Sequence, residues 1–305
     1  MPFRLLYVVA TSAPVLLAIA AFGWGGNTVA GRLAVGEISP MVVVFMRWTI
    51  VFAILLLYCG NLNRIPKILR GNWAWAFSMG ALGICLFNAL FYIAAKSTTA
   101  MNLGLIQCSM PMFILIGVRL IYKAKLSISQ ILGTFLAISG VLILVSRGDL
   151  AVLIGLRINT GDWIMLIACL LYAGYSLGLK NRPNIDYMTM MMIFSGAAWL
   201  FSIPLVLFEV CLGIDQWPSS RLAWFVVFFV SLVPSLLSQV LYMRGVDMIG
   251  PDRAGVYSNL VPIFSAVLGI FILNEALDWY HLLSLLIVIS GLTIISKSNQ
   301  NSVQT

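Results

Sequence analysis

The sequence predicts an all-α polytopic membrane protein, with ten transmembrane helices arranged as two inverted five-helix repeats. Three observations lead there. Of the 305 residues, 61% are hydrophobic and only 9% charged, whereas soluble domains carry roughly 25% charged residues. Apolar runs of about 18–25 residues recur along the chain, each long enough to cross a ~30 Å hydrocarbon core. Two long stretches also repeat each other at a fixed offset of 151 residues, and such a repeat points to a site between the halves.

The apolar runs lie at about 13–35, 40–60, 72–95, 100–121, 127–146, 161–180, 187–210, 222–245, 252–274 and 278–296. Arg4 before the first run also fits a cleavable signal peptide. The run is read as a helix because it completes five helices per repeat. The first repeat then spans 13–146 and the second 161–296, joined by a loop over 147–160. Between Leu86/Leu237 and Ile143/Ile294 the two align without a gap, with 12 identities in 58 positions. Leu and Ile matches come cheaply in so apolar a chain. The matches of Gly104 with Gly255, Pro111 with Pro262, and Ser139-Gly140 with Ser290-Gly291 do not.

Five helices per repeat is an odd number, so the second copy enters the membrane from the opposite side. The positive-inside rule sets the orientation. Eleven basic residues, from Arg4 to Lys297, fall on the side of the N-terminus, and five (Arg32, Lys96, Arg147, Arg157, Arg221) on the other. Both termini are therefore expected in the cytoplasm, with the protein multi-pass in the inner (plasma) membrane. This loop bias accounts for the net charge of +8, and no concentrated basic face suggests nucleic acid as a partner. Trp73, Trp75, Trp163, Trp217, Trp224 and Trp279 fall near span ends, as interfacial anchors do. Five cysteines form no CxxC pair, so no disulfide framework, metal or other cofactor is expected. The expected partners are the lipid bilayer and a small-molecule substrate, with the chain a monomer or weak homodimer.

Polar side chains inside a bilayer are candidates for function, because burying them unpaired is costly. Asn88 aligns with Gln239 and Gln107 with Ser258. Two amides at matched positions would face each other across a central cavity and grip a polar substrate group; the alternative is glue between neighbouring helices. Pro111 and Pro262 are expected near the middle of the fourth and ninth helices, as hinges or gates or as static kinks. Gly83 aligns with Pro234, both helix weakeners. In the first helix Trp24 and Asn27 precede Arg32, and aligning Trp24 with Tyr172 also brings Arg32 onto Lys180. Trp24, Tyr175 and Tyr257 stack on a substrate or simply pack. Gly174 and Gly178 form a GxxxG pattern suited to close helix contact. Arg47, about seven residues into the second helix, either binds an anionic group or snorkels to the outer headgroups; the headgroup reading is preferred.

The enzyme signals are weak. Gly174-x-Ser176-x-Gly178 matches the nucleophile-elbow pattern, which needs a strand–turn–helix setting, but here it falls in an apolar helix. The single histidine, His281, is expected on the order of 18 Å from Ser176 along the membrane normal, too far for proton transfer. No HExxH or Walker A motif occurs.

Trp24-Gly25-x-Asn27, the Pro40…Arg47 approach to the second helix, and Pro262, Asn274-Glu275-Ala276-Leu277 and Gly291 late in the second repeat together resemble the drug/metabolite transporter superfamily, in its ten-helix type with two EamA domains. The resemblance covers nearly the whole chain. It implies export or exchange of small metabolites through a cavity lined by helices 1, 3, 4, 6, 8 and 9. Ala124 stands where the second repeat has Glu275, so that glutamate reads as a helix cap or tether. The expected function is a secondary transporter of small organic metabolites, with amino acids or related amphipathic compounds favoured, working as an efflux system by alternating access. Asp162, Asp186, Asp247, Asp252, Glu275 and Asp278 all fall near span ends, which favours a facilitator or exchanger over a carboxylate-driven antiporter. An intramembrane enzyme and a channel or scaffold are the alternative readings.

Overall fold

A chain this apolar can satisfy its backbone donors and acceptors away from water only within helices or a closed barrel. The computed structural model is helical and describes residues 12–59, 69–97, 106–107, 109–123, 127–145, 148–149, 151, 160–273 and 278–301. The first helices, α1 (Ala13–Ala34) and α2 (Pro40–Cys59), each begin with proline in the first turn, where its missing N–H is unneeded. Then follow α3 (Trp73–Ser97), α4 (Met110–Ile121), α5 (Ile128–Val145), α6 (Thr160–Gly178), α7 (Tyr187–Cys211), α8 (Arg221–Ile249), α9 (251–273) and α10 (Trp279–Asn301). Among the described residues, seven helices are long and apolar enough to cross a membrane: all of these except α4, α5 and α10, the last two containing the shorter apolar segments Ile128–Gly140 and Leu282–Gly291. The Ala124/Glu275 position and nearly all of the loop at 147–160 lie outside the described residues.

Three helices are irregular where the cavity forms. Within α3, Met79–Leu86 is π-helical, and within α8, Ser231–Leu237 is π-helical. At the offset of 151 these segments nearly coincide, and they contain the aligned Gly83 and Pro234. A π segment leaves main-chain carbonyls out of the regular ladder, and side chains take them up. Asn88 Nδ2 donates to the Ile84 carbonyl at 2.7 Å, Ser235 Oγ to Val230 at 2.5 Å, and Trp24 Nε1 to Pro234 at 3.1 Å.

In α9, a 3-10 turn over Tyr257–Asn259 separates Pro251–Val256 from Leu260–Leu273. This corrects the expectation of mid-helix prolines. Pro111 lies in the first turn of α4, and Pro262 lies in the first turn after the 3-10 break. At both places the helix is already interrupted, so a proline there costs little hydrogen bonding.

Helix pairing is symmetric under exchange of the two halves. α2 packs on α7 and α5 on α10; α1 packs on α8 and α9, as α6 packs on α3 and α4. Small residues allow the closest approaches. A Cβ on Gly25 would come within 2.7 Å of Phe264 Cβ, and one on Gly291 within 2.6 Å of the Gly133 carbonyl oxygen. The repeated Ser-Gly pairs therefore report the α5–α10 contact, where Ser284 Oγ also donates to the Gly140 carbonyl at 2.7 Å. The GxxxG expectation is only half met. Gly178 sits against Met79, while Gly174 has nothing within reach of a Cβ.

Helix starts are capped in two ways. Asp186 and Ser220 cap α7 and α8 locally by accepting from the Thr189 and Ala223 backbone N–H groups. The start of α2 is capped from a distance: Glu209, buried near the end of α7, accepts from Ser39 Oγ at 2.6 Å and from the backbone N–H groups of Met41 and Val42 at 3.1 and 3.3 Å. The α2 N-terminus is a suitable place for a carboxylate. Sequence reading singled out other carboxylates and missed this one, which spacing within α7 does not reveal.

Candidate functional site

Arg47 organises the interior. It shares its face of α2 with Val43, Val44, Trp48 and Val51, all buried, and is itself only 2% exposed. This overturns the headgroup reading, because that face points into the bundle and acceptors converge on the guanidinium there. Nη1 donates to Asn88 Oδ1 at 2.9 Å and Asn27 Oδ1 at 3.2 Å, with the Tyr92 hydroxyl at 3.5 Å, and Nε donates to Ser235 Oγ. Through Asn88 and Ser235 the cation is tied to both π-helical segments. Among the described residues Nη2 has no hydrogen bond, and no carboxylate lies within ion-pair distance. A buried cation held by neutral acceptors alone retains its charge for a ligand.

Arg47 borders a cavity between the halves, of about 40 Å³ measured by the centres of a water-sized sphere, room for about three waters. A space this small puts its polar groups within reach of one small ligand. The first half contributes Asn27, Thr28, Arg47, Asn88 and Gln107 as polar groups, and the second Gln239 and Ser258. The apolar walls are Trp24, Phe87, Phe91, Met110, Tyr172 and Val261. Trp24 and Tyr172 meet edge-to-face with ring centroids 5.7 Å apart, and Tyr242 lies 5.1 Å from Trp24.

Of the residues singled out in the sequence, Trp24, Asn27, Asn88, Gln107, Gln239 and Ser258 thus line one cavity. Tyr175 and Tyr257 do not line it. Tyr175 is turned against Gly83 and Phe194, with a Cβ on Gly83 falling 2.6 Å from its own Cβ; Tyr172, one helical turn earlier, holds the wall instead. Tyr257 is buried in the 3-10 turn, which presents Ser258 to the cavity. Ser176, from the elbow-like pattern, is buried and bonded to the Tyr242 hydroxyl at 2.8 Å.

The two matched amides differ. Asn88 uses both ends, on Arg47 and on the Ile84 carbonyl. The Gln239 side chain is 4% exposed, and its Oε1 has no partner among the described residues. The Tyr172 hydroxyl lies beside it without a hydrogen bond of normal geometry. Ser258 Oγ is likewise buried without a partner, and so are both ends of the adjacent Asn259 amide. Sequence reasoning missed Thr28, Phe91, Met110 and Val261, which lie three or four residues after Trp24, Asn88, Gln107 and Ser258, and Phe87, one turn before Phe91. Among the described residues no cluster of three or more His, Cys, Asp or Glu side chains could hold a metal.

Comparison with known proteins agrees with this architecture. The chain is 26% identical over 270 residues to the uncharacterized transporter YyaM of Bacillus subtilis (strain 168), covering 85% of each. It is 24% identical over 277 residues to an uncharacterized transporter of Archaeoglobus fulgidus, covering 90% of this chain and 94% of that one. A solved crystal structure shares the fold with a TM-score of 0.76 at 16% identity, covering 95% of this chain and 98% of the other. The EamA-like transporter family profile matches residues 11–146 and again 159–297. These two matches take in nearly the whole of a chain built from membrane-crossing helices around a buried polar cavity, and the protein belongs to the EamA-like transporter family.

Proposed function

We propose that the chain is a secondary transporter of small organic metabolites, working in efflux by alternating access to the cavity between its halves. The observation that carries this reading is the cavity walled by both halves, which contains Arg47 and, unpartnered among the described residues, Gln239 Oε1 and Ser258 Oγ. Buried polar groups without partners are costly, and a ligand that supplies the partners recovers that cost. Ten spans, with 13–146 and 161–296 as inverted repeats and both termini cytoplasmic in the plasma membrane, are part of the proposal. Exchange-symmetric helix pairing and the matched π segments support it. The chain acts as a monomer or weak homodimer.

Alternating access requires helices that bend near the site. The two π segments and the interruptions ahead of Pro111 and Pro262 lie where the walls must move, and the prolines serve as hinges. The test is solute counterflow in proteoliposomes, screened over metabolite classes. Saturable flux that unlabelled solute competes supports a carrier. Product formation without flux would mean an enzyme, and flux that never saturates would mean a channel.

A further inference from the structure

Resting on the transporter reading, we infer that the cavity selects a small organic anion, a monocarboxylate with a short apolar body, and discriminates against zwitterions and amines. Among the described lining residues Arg47 supplies the sole formal charge. A guanidinium buried to 2% exposure, with no carboxylate partner among the described residues, gives the cavity a net positive charge in a low-dielectric setting. A carboxylate neutralises it. A zwitterion brings its own ammonium, for which no lining carboxylate waits, and an amine adds a second positive charge where Coulomb repulsion is least screened.

The geometry also sets the number of negative charges. Nε is committed to Ser235, and Nη1 to Asn88 and Asn27, so only Nη2 remains for the ligand. That suits one charge-assisted hydrogen bond to a carboxylate oxygen. It does not provide the two-pronged grip that favours guanidinium binding of phosphate, and a dianion would leave an unneutralised negative charge behind. Gln239 Oε1 and Ser258 Oγ, both buried and unpartnered, accept a donor elsewhere on the ligand or its accompanying water. Trp24, Phe87, Phe91 and Tyr172 form the walls for an apolar body, whose burial adds affinity without adding charge.

The test uses four probes that differ mainly in charge: propionate, L-alanine, ethylamine and propanamide. Binding is measured by calorimetry on the full chain in nanodiscs at neutral pH. The acid is expected to bind tightest, by about tenfold or more over the amide, the scale of one charge-assisted hydrogen bond. Gln239→Glu is the main variant, since Gln239 holds no other side chain in place. It should abolish the acid's advantage and favour the amine. Arg47→Gln should bring the acid down to the level of the amide. Binding of none of the four, or tighter binding of the amine or of alanine to the unaltered chain, overturns the inference, as does an unchanged order in Gln239→Glu. Counterflow of the same probes separates this from the transporter reading. Preferential binding of the acid with no flux of any probe would sink transport alone. Flux of alanine or the amine with exclusion of the acid would sink the anion inference and leave transport standing.

Discussion

The two sides of the cavity carry aligned residues in opposite states. On the first-half side, Asn88 is bonded at both ends, to Arg47 and to the π-segment carbonyl of Ile84. On the second-half side, Gln239 occupies the matching place with an unpartnered oxygen. The cause is local. The first half places a guanidinium beside its amide, and that cation draws Asn88, Asn27 and Tyr92 around it. The second half has no cation there: the offset that pairs Trp24 with Tyr172 and Arg32 with Lys180 puts Ser195 in the place of Arg47, and its hydroxyl donates to the Met192 carbonyl. Repeats related by ancestry can thus divide the work, one side fixing a charge in place and the other leaving acceptors open. Equivalence in sequence gives a position on the helix, and the neighbours decide what the side chain does there.

This asymmetry is open to mutation, and the largest effect is expected on the first-half side. Asn88→Ala removes an acceptor from a buried cation and leaves the Ile84 carbonyl unbonded, at a cost of about 3 kcal/mol in stability. A chemical denaturation series in detergent should show it, and an unchanged midpoint would mean that Asn88 is free for substrate after all. Asn88→Asp sharpens the point: it should keep the fold through a new ion pair with Arg47 and lose transport of anions.

The matched π segments come next. In α3, Gly83→Ala drives a methyl group into Tyr175, with a loss of about 1–3 kcal/mol from overpacking. In α8, Pro234→Ala introduces no clash and should cost less. Melting temperatures that fall equally in both variants would show that the segments are stabilised in the same way.

On the second-half side, Gln239→Ala should leave stability nearly unchanged, because no hydrogen bond is broken, and lower substrate affinity by about tenfold, close to 1.4 kcal/mol. A drop in melting temperature with unchanged affinity would assign Gln239 to helix packing. The smallest stability effects belong to the prolines. Because Pro111 and Pro262 occupy first helical turns, alanine there should cost less than about 1 kcal/mol. If they are hinges in inverted copies, the two variants should bias the cavity toward opposite faces of the membrane. Labelling of a cavity cysteine from each side measures that bias, and equal shifts in both variants would leave the prolines as static features.

Much of the fold was legible from one-dimensional features. Among the described residues, seven helices long enough to span a membrane overlap apolar runs read from the sequence, with ends that differ by up to four residues, because hydropathy and the demand for backbone hydrogen bonds both act over a single segment. The offset of 151 residues placed Gly83 opposite Pro234 and Asn88 opposite Gln239 without any coordinates. Six of the eight residues expected to bind substrate share a cavity, because polar side chains in apolar helices have few other places to go. Tyr175 lies outside the cavity lining because choosing which aromatic of a helix faces inward requires the rotation of that helix, which a largely apolar segment does not reveal; Tyr257 lies outside it because a 3-10 turn, which the sequence reading did not foresee, presents Ser258 instead.

By itself, then, the sequence determined the class, the repeat and the set of polar residues that had to be buried, since these follow from composition and local spacing. Tertiary structure alone decided what each of them does. Arg47 turned inward because Ser235 receives its Nε from 188 residues away, and the Trp24 indole donates to the Pro234 carbonyl across 210 residues. Glu209 caps α2 from a separation of 167 to 170 residues. A buried polar atom takes the partner that packing brings within about 3 Å, and the chain order carries no record of which partner that will be.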